Sequence, residues 1–449
     1  MANALVGDTK YSTYKYSGLE WLGSIPSHWE VKALKHGATI VLGKMLCPEN
    51  KGGYFLRPYL KSKNIQWLNA ETSSVDEMWF SKGEMELYRL KKADLVLSEG
   101  GEVGKTCYWN EELPECYIQN SAHRVRFFKG HNPRYFLYQF FSAGNIGYFD
   151  SIVNRVSIAH LTREKLANTN FAFPTEQEQA DIAHFLDQQS VQIDAVIQIK
   201  ERQIELLKER KQILIQQAVT RGLDPHAPMR DSGIEWIGEI PAHWQARRFK
   251  YLFSQSQLPV RSGDGVVTSY RDGQVTLRSN RRLSGYTEAI LEGGYQGVRK
   301  GQLVLNSMDA FEGAIGVSES DGKCTPEYVV CDSLSDEYLP EYFAYLLREM
   351  ALARYIQVIC NAVRQRAVRI RFNNLASRFM VVPPIEEQRA IVAHIKAEAE
   401  KQEAAVALLE QQITKLKEYK ATLINSAVTG KIKVPGVVEP TEIEEREIA

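Results

Sequence analysis

The sequence predicts an α+β protein in which two mixed α/β domains are separated by two long antiparallel coiled-coil helices, the whole forming an internal pseudo-twofold repeat. Three observations carry that expectation. Residues 17–30, SGLEWLGSIPSHWE, return as residues 232–245, SGIEWIGEIPAHWQ. Ser17, Trp21, Pro26, His28 and Trp29 thus recur as Ser232, Trp236, Pro241, His243 and Trp244, 215 positions on. Each copy is followed by a stretch of short mixed apolar runs, and each such stretch ends at a proline that opens a long segment of helical periodicity. A repeat of nearly half of 449 residues far exceeds the roughly 20–50 residues of a solenoid unit, so the chain is two copies of one module.

The first element, residues 1–16, has tyrosines and lysines without a periodic apolar pattern and reads as an extended arm. The motif that follows opens a first domain, residues 17–174. Its tryptophans and Pro26 suit an aromatic anchor packed on a neighbour better than a platform for stacked bases. Apolar runs at Ala93–Leu97 and Arg124–Phe128 predict strands, and Pro133–Phe141 and Thr162–Leu166 predict helices. Between them lie polar and basic loops at 43–53, 57–64, 119–126 and 154–160. Lys44, Arg57, Lys61, Lys63, Asn64, Gln119, Asn120, His123, Arg124, Asn154 and Arg155 are candidates there for contacts to nucleic acid. Such side chains reach phosphate oxygens and base edges.

Residues 175–221 contain no proline or glycine and place Leu186, Ile193, Ile197, Ile204, Leu207 and Leu214 at steps of three and four. That is a heptad-like seam, stopped by Gly222 and Pro225. At about 1.5 Å per residue the helix is roughly 65 Å long, more than one compact domain requires. A linker, 222–231, leads to the second domain, 232–383. Its candidate contacts are Tyr270, Arg271, Arg278, Asn280, Arg281 and Arg282, then Arg364, Arg366 and Arg369 in the run VRQRAVRIR. That run reads either as a strip tracking phosphates or as an edge strand with a charged face; arginine over lysine favours the first. The second seam, 384–430, has Ile395, Val406, Leu409, Ile413, Leu416 and Leu423, and matches the first at 210 positions through Pro174/Pro384, Glu176/Glu386 and His184/His394. Residues 431–449 form a polar, loose tail.

Composition narrows the function. Lys+Arg and Asp+Glu are both 55, so no uniformly basic coat exists, although balanced faces of opposite sign remain open. No apolar run approaches the roughly 20 residues of a membrane span, so a cytoplasmic protein without membrane contact is expected. Cys47, Cys107, Cys116, Cys324, Cys331 and Cys360 lack zinc-ligand spacing and read as reduced thiols.

If the two seams pack antiparallel, the second returns the chain to where the first domain began, and SGLEWLGSIPSHWE lies against the end of the second helix near Gly430. The paired helices would then act as a ruler between two readers of a split DNA site. The doubled SG-[LI]-EW-[LI]-G-x-IP-x-HW motif, with P-x-E-x-(three)-A-x-x-AH opening each long helix, resembles the specificity subunit of Type I restriction-modification systems over residues 17–434. The resemblance implies two target recognition domains, each reading one half of a bipartite asymmetric site in double-stranded DNA. It also implies helices that dock two modification (methyltransferase) subunits, with restriction/translocase subunits joining the full complex. S-adenosylmethionine, ATP and Mg are expected on those partners, and no cofactor, metal or catalysis on this chain. The alternative is a non-catalytic coiled-coil scaffold spacing two protein-binding domains.

Three other patterns are decoys. Gly100–Thr106 ends like a phosphate-binding loop, but Glu99 stands where the first glycine is needed. Asn132-Pro133-Arg134-Tyr135 departs from an amino-methyltransferase motif at Arg134. His184 and His394, matched in the two seams, read as structural residues rather than paired ligands.

Overall fold

The computed structural model describes residues 10–153, 160–281, 294–360 and 369–440. It divides into two compact units, Met1–Lys200 with Gln411–Ala449, and Glu201–Glu410. The two predicted seams are helices Glu176–Arg221 and Ile385–Val428, and each contributes to both units. In the first unit Lys420 Nζ donates to Asp194 at 2.7 Å and Lys200 Nζ donates to Gln412 Oε1 at 2.6 Å, so the two helices run antiparallel. In the second unit Lys211 Nζ donates to Glu403 Oε1 at 2.8 Å.

Every residue expected in the seam faces away from solvent to some degree. Leu186, Ile193, Ile197, Ile204, Ile395, Ile413 and Leu423 are buried, and Leu207, Leu214, Val406, Leu409 and Leu416 are half-buried. Burial of one apolar stripe is what steadies helices of this length, since helix propensity alone contributes little.

The register between the repeats differs from the one that sequence identity suggests. Gln179 Nε2 donates to Pro174 O at 2.9 Å and its Oε1 accepts from Asn132 N at 2.9 Å. Gln388 does the same with Pro383 O and Leu339 N, each at 2.9 Å. The true offset is therefore 209 rather than 210, pairing Pro174 with Pro383 and buried Leu186 with buried Ile395. His184 and His394 are exposed and not equivalent; their match was a coincidence of composition.

Each duplicated motif closes on the end of a long helix. In the first unit Gly430, at φ +70°, sits so close under the motif that a Cβ would come within 2.3 Å of the Pro26 ring and 3.3 Å of Trp29. Tyr14 Oη donates to Gly430 O at 3.0 Å, and Trp29 meets Tyr135 edge-on. In the second unit Gly222, at φ +76°, lies likewise beneath Trp244 and Pro241, and Trp244 meets Tyr342 edge-on. Tyr135 and Tyr342 donate to the last-turn carbonyls of Val428 and Val219. These bonds satisfy acceptors that a helix end otherwise leaves open.

Within the expected arm and tail, some of the described residues pair or pack. Tyr14–Tyr16 pairs antiparallel with Ser24–Pro26, and Val434 and Val437 are buried. In the second unit the end of the expected linker, Met229–Asp231, pairs with Glu239–Pro241 in the same way.

The first domain contains a five-stranded sheet in the order Ala38–Leu42, Ala122–Phe127, Leu95–Ser98, Thr106–Tyr108, Leu68–Asn69. The second has a four-stranded sheet, Phe253–Gln255, Tyr328–Ser333, Leu303–Asn306, Ile315–Val317. Leu95–Ser98 and Leu303–Asn306 are buried along their whole length, as a strand covered on both faces must be. Helices Pro133–Asn145 and Pro340–Leu352 pack on these sheets, each starting with proline, whose missing N–H costs nothing there. Asn132 is the cap of the first, its Oδ1 accepting from Arg134 N at 2.9 Å, which gives the Asn-Pro-Arg-Tyr sequence a structural role.

Candidate nucleic-acid interface

At one end of the first sheet the loops singled out by composition come together. Strand Ala38–Leu42 ends there, Leu95–Ser98 ends there, and Ala122–Phe127 begins there. Asn120 N donates to Lys44 O at 2.9 Å, and Ser62 Oγ donates to Ser121 O at 2.9 Å. Glu99 N donates to Ser121 O, and Leu161 N to Glu99 O, at 2.9 and 2.8 Å. Gly43 lets two loops touch, since a Cβ there would lie 2.3 Å from Gln119 O.

The second domain uses the same end of its sheet. Ser307 N donates to Glu327 O at 3.1 Å, Ile370 N to Ser307 O at 3.3 Å, and Ser307 Oγ to Ile370 O at 2.7 Å. Buried Ile370 in that bridge corresponds to buried Leu161 in the first domain.

Four predicted contact residues are placed inside the domain. Lys44 is 8% exposed, and its ammonium pairs with Glu84 beneath Tyr54 and Phe80. Asn64, at 1%, accepts from Lys61 N and donates to Glu71 O and Ser74 O, which holds its own loop in shape. His123, at 0%, bonds Leu161 O at 2.7 Å, and burial lowers its proton affinity. Arg124, at 5%, donates to Leu87 O and Arg89 O. The contacts of these residues hold loops and strands in place, although His123 Nδ1 and Arg124 Nε are buried without a hydrogen-bond partner.

The remaining described candidates lie nearer the surface. Lys61 and Lys63 share Asp76, and Arg57 faces Glu115 at 3.0 Å. Gln119 donates to Asn120 Oδ1 and accepts from Ser121. Arg281 stacks 4.2 Å above the Tyr270 ring and pairs with Asp272 at 2.7 Å. Arg271 bridges Asp309 and Glu312. Arg278 donates to Thr268 and Asn280 to Thr276. Arg369 and Arg371 flank Glu327 at 3.9 and 3.7 Å. Asn154, Arg155, Arg282, Arg364 and Arg366 lie outside the described residues.

Composition alone missed the acids. Asp76, Asp272, Asp309, Glu312 and Glu327 each hold one or two of the candidate cations. Exposed pairs of this kind contribute about 0–1 kcal/mol.

In the loop Gly100–Thr106 the side chains bond within the loop itself. Thr106 is fully buried and its hydroxyl donates to Gly104 O, while Lys105 pairs with Glu102. Among the described residues no cluster of three or more His, Cys, Asp or Glu is arranged to hold a metal, and no helix is long and apolar enough to cross a membrane.

Residues 26–209 match the Type I restriction modification DNA specificity domain. The chain is 24% identical over 435 residues to a protein described as a type I restriction enzyme MjaX specificity subunit of Methanocaldococcus jannaschii, covering 92% of this chain and 96% of that one. It is 22% identical over 371 residues to the type I restriction enzyme EcoBI specificity subunit of Escherichia coli, covering 76% and 72%. A solved chain of a type I R-M system superposes with TM-score 0.62 at 15% identity over 91% of this chain and 99% of its own. The HsdS subunit from Thermoanaerobacter tengcongensis superposes with TM-score 0.51 at 14% identity, covering 91% and 98%. Over most of its length the chain is thus similar to specificity subunits of Type I restriction-modification systems.

Proposed function

We propose that this chain is the DNA-reading, non-catalytic subunit of its complex, each domain reading one half of a bipartite asymmetric site. The long helices set the spacing of the halves and dock two modification subunits. S-adenosylmethionine, ATP and Mg belong to the modification and restriction/translocase partners, and the complex works in the cytoplasm. One observation carries the reading: both domains gather loops at the same end of the same sheet, while the side chains those loops present differ. Common geometry with different chemistry is what two readers of different sequences need. Phosphate contacts would supply salt-dependent affinity, and each good base contact about 1–3 kcal/mol of discrimination.

The test is selection from random-sequence duplexes by the chain assembled with its modification subunits. A single split motif is expected. Replacing residues 246–382 with the counterpart from a related chain should change one half of that motif and leave the other. No enrichment of any split motif would instead favour the scaffold reading, and a change in both halves would refute modular readout.

A further inference from the structure

One arginine of the second domain faces a cavity. Arg348, on helix Pro340–Leu352, is half-buried, and its Nε is buried without a hydrogen-bond partner. Burial pulls its proton affinity down, with Tyr345, Asp272 and Glu349 only partly opposing that. The guanidinium lines a cavity of about 390 Å³ that also has Lys300 and Lys396 on its wall. Of the acids on that wall, Asp272 is engaged by Arg281 and Glu319 by Gln274. Glu341 lies in the first turn of the Arg348 helix, where the helix dipole favours a negative charge.

The first domain fills the corresponding place. Helix Pro133–Asn145 has the same length, and Tyr135 and Tyr342 occupy the same position, so Arg348 corresponds to Phe141. Phe141 packs edge-on against Trp67, which also covers Gly144. In the second domain the turn at Gly273 stands over Arg348 instead and supplies no side chain, since a Cβ there would lie 2.3 Å from Arg348 Nη1. Gly313, in the loop that carries Asp309 and Glu312, is the other neighbour, 3.8 Å from Nε by the same measure. The cavity runs from the Asp272–Gln274 turn, next to Arg271, along Ile315–Glu319 to Lys300, which precedes strand Leu303–Asn306 at the end away from Ser307.

We propose that this cavity is a phosphate-binding site for the DNA backbone, with Arg348 on its floor and Lys300 at its rim. The proposal rests on the DNA-reading function above. A half-buried cation that its neighbours compensate only in part gains when a phosphate oxygen reaches it, because charge-assisted bonds strengthen away from water. A backbone contact positions the duplex without reading its sequence.

The experiment measures binding of the assembled complex to its selected site and to random duplex across a salt series, for the wild type, Arg348→Gln and Lys300→Gln. Lys300 is exposed, so its substitution leaves folding intact even if Arg348→Gln does not. Each variant should lower affinity for both duplexes by a similar factor, about tenfold, and reduce the slope of log K against log salt by about one. Unchanged slopes with normal specific binding would overturn the site and leave the DNA-reading function standing. Altered base preference, or weakened assembly with modification subunits at an unchanged slope, would assign the cavity to base readout or to a partner's carboxylate and overturn it as well. A wild-type complex that binds no duplex specifically would overturn both.

Discussion

At the scale of single residues, two buried glutamates show how environment decides chemistry. Burial pushes the Glu178 carboxyl up, but hydrogen bonds from His28, Trp29 and Thr175 outweigh it and hold the group below its ordinary range. Glu349 is also buried and receives one bond, from Gln212 Nε2 at 2.5 Å, so burial wins and pushes it up to about 7. In its ordinary, unfolded range Glu349 would lose its proton near 4.5. Its contribution to stability is therefore complete below that pH and lost as pH rises to about 7. Glu349→Gln should flatten the pH dependence of the urea midpoint over this window and raise stability at pH 8 by on the order of 2 kcal/mol; an unchanged slope would show that Glu349 ionises freely in the folded state. Which polar residues were candidates was legible in the sequence, but which of them point outward was not. Asn64 and Lys63 are neighbours of similar polarity, yet one secures three backbone groups and the other reaches a surface aspartate. His123 and Arg124 sit on a strand whose first four residues are all buried, so alternation gives no sign of their orientation.

At the scale of elements, the long helices were legible because a seam repeats the same apolar spacing over many turns. Their mutual alignment was less so. Identity favoured an offset of 210, which would have set buried Leu186 against exposed Lys396. The hydrogen bonds of Gln179 and Gln388 give 209, and hydrogen-bond geometry outranks matched letters. The helix ends lead to a measurable contrast. Both Gly430 and Gly222 have left-handed backbones, which cost other residues about 1–2 kcal/mol. A Cβ at Gly430 also strikes the rigid Pro26 ring at 2.3 Å, whereas at Gly222 it meets the flexible end of Glu387 at 2.9 Å. Gly430→Ala should therefore lower the unfolding free energy by more than Gly222→Ala, by on the order of 1–3 kcal/mol. Equal losses in denaturant titrations would show that the Pro26 contact relaxes freely.

At the scale of the whole molecule, the duplication was plain from one 14-residue stretch, while the likeness of the two domains was hidden because it lies in strand order rather than in side chains. The contact between each motif and a helix end has a further meaning. Trp29 over Gly430 and Trp244 over Gly222 are the same joint, one made between segments distant in sequence and one between near neighbours. Both joints share the tryptophan and proline over a helix-end glycine and the tyrosine bond to the last turn, whether or not the chain runs through them, so the molecule should tolerate circular permutation. A chain opened within residues 223–227 and joined by a short linker between residues 440 and 10 keeps every contact described for both joints. It should fold with a melting temperature close to that of the parent and select the same split motif. If it fails to fold while the parent folds, the loop at 223–227 does more than connect.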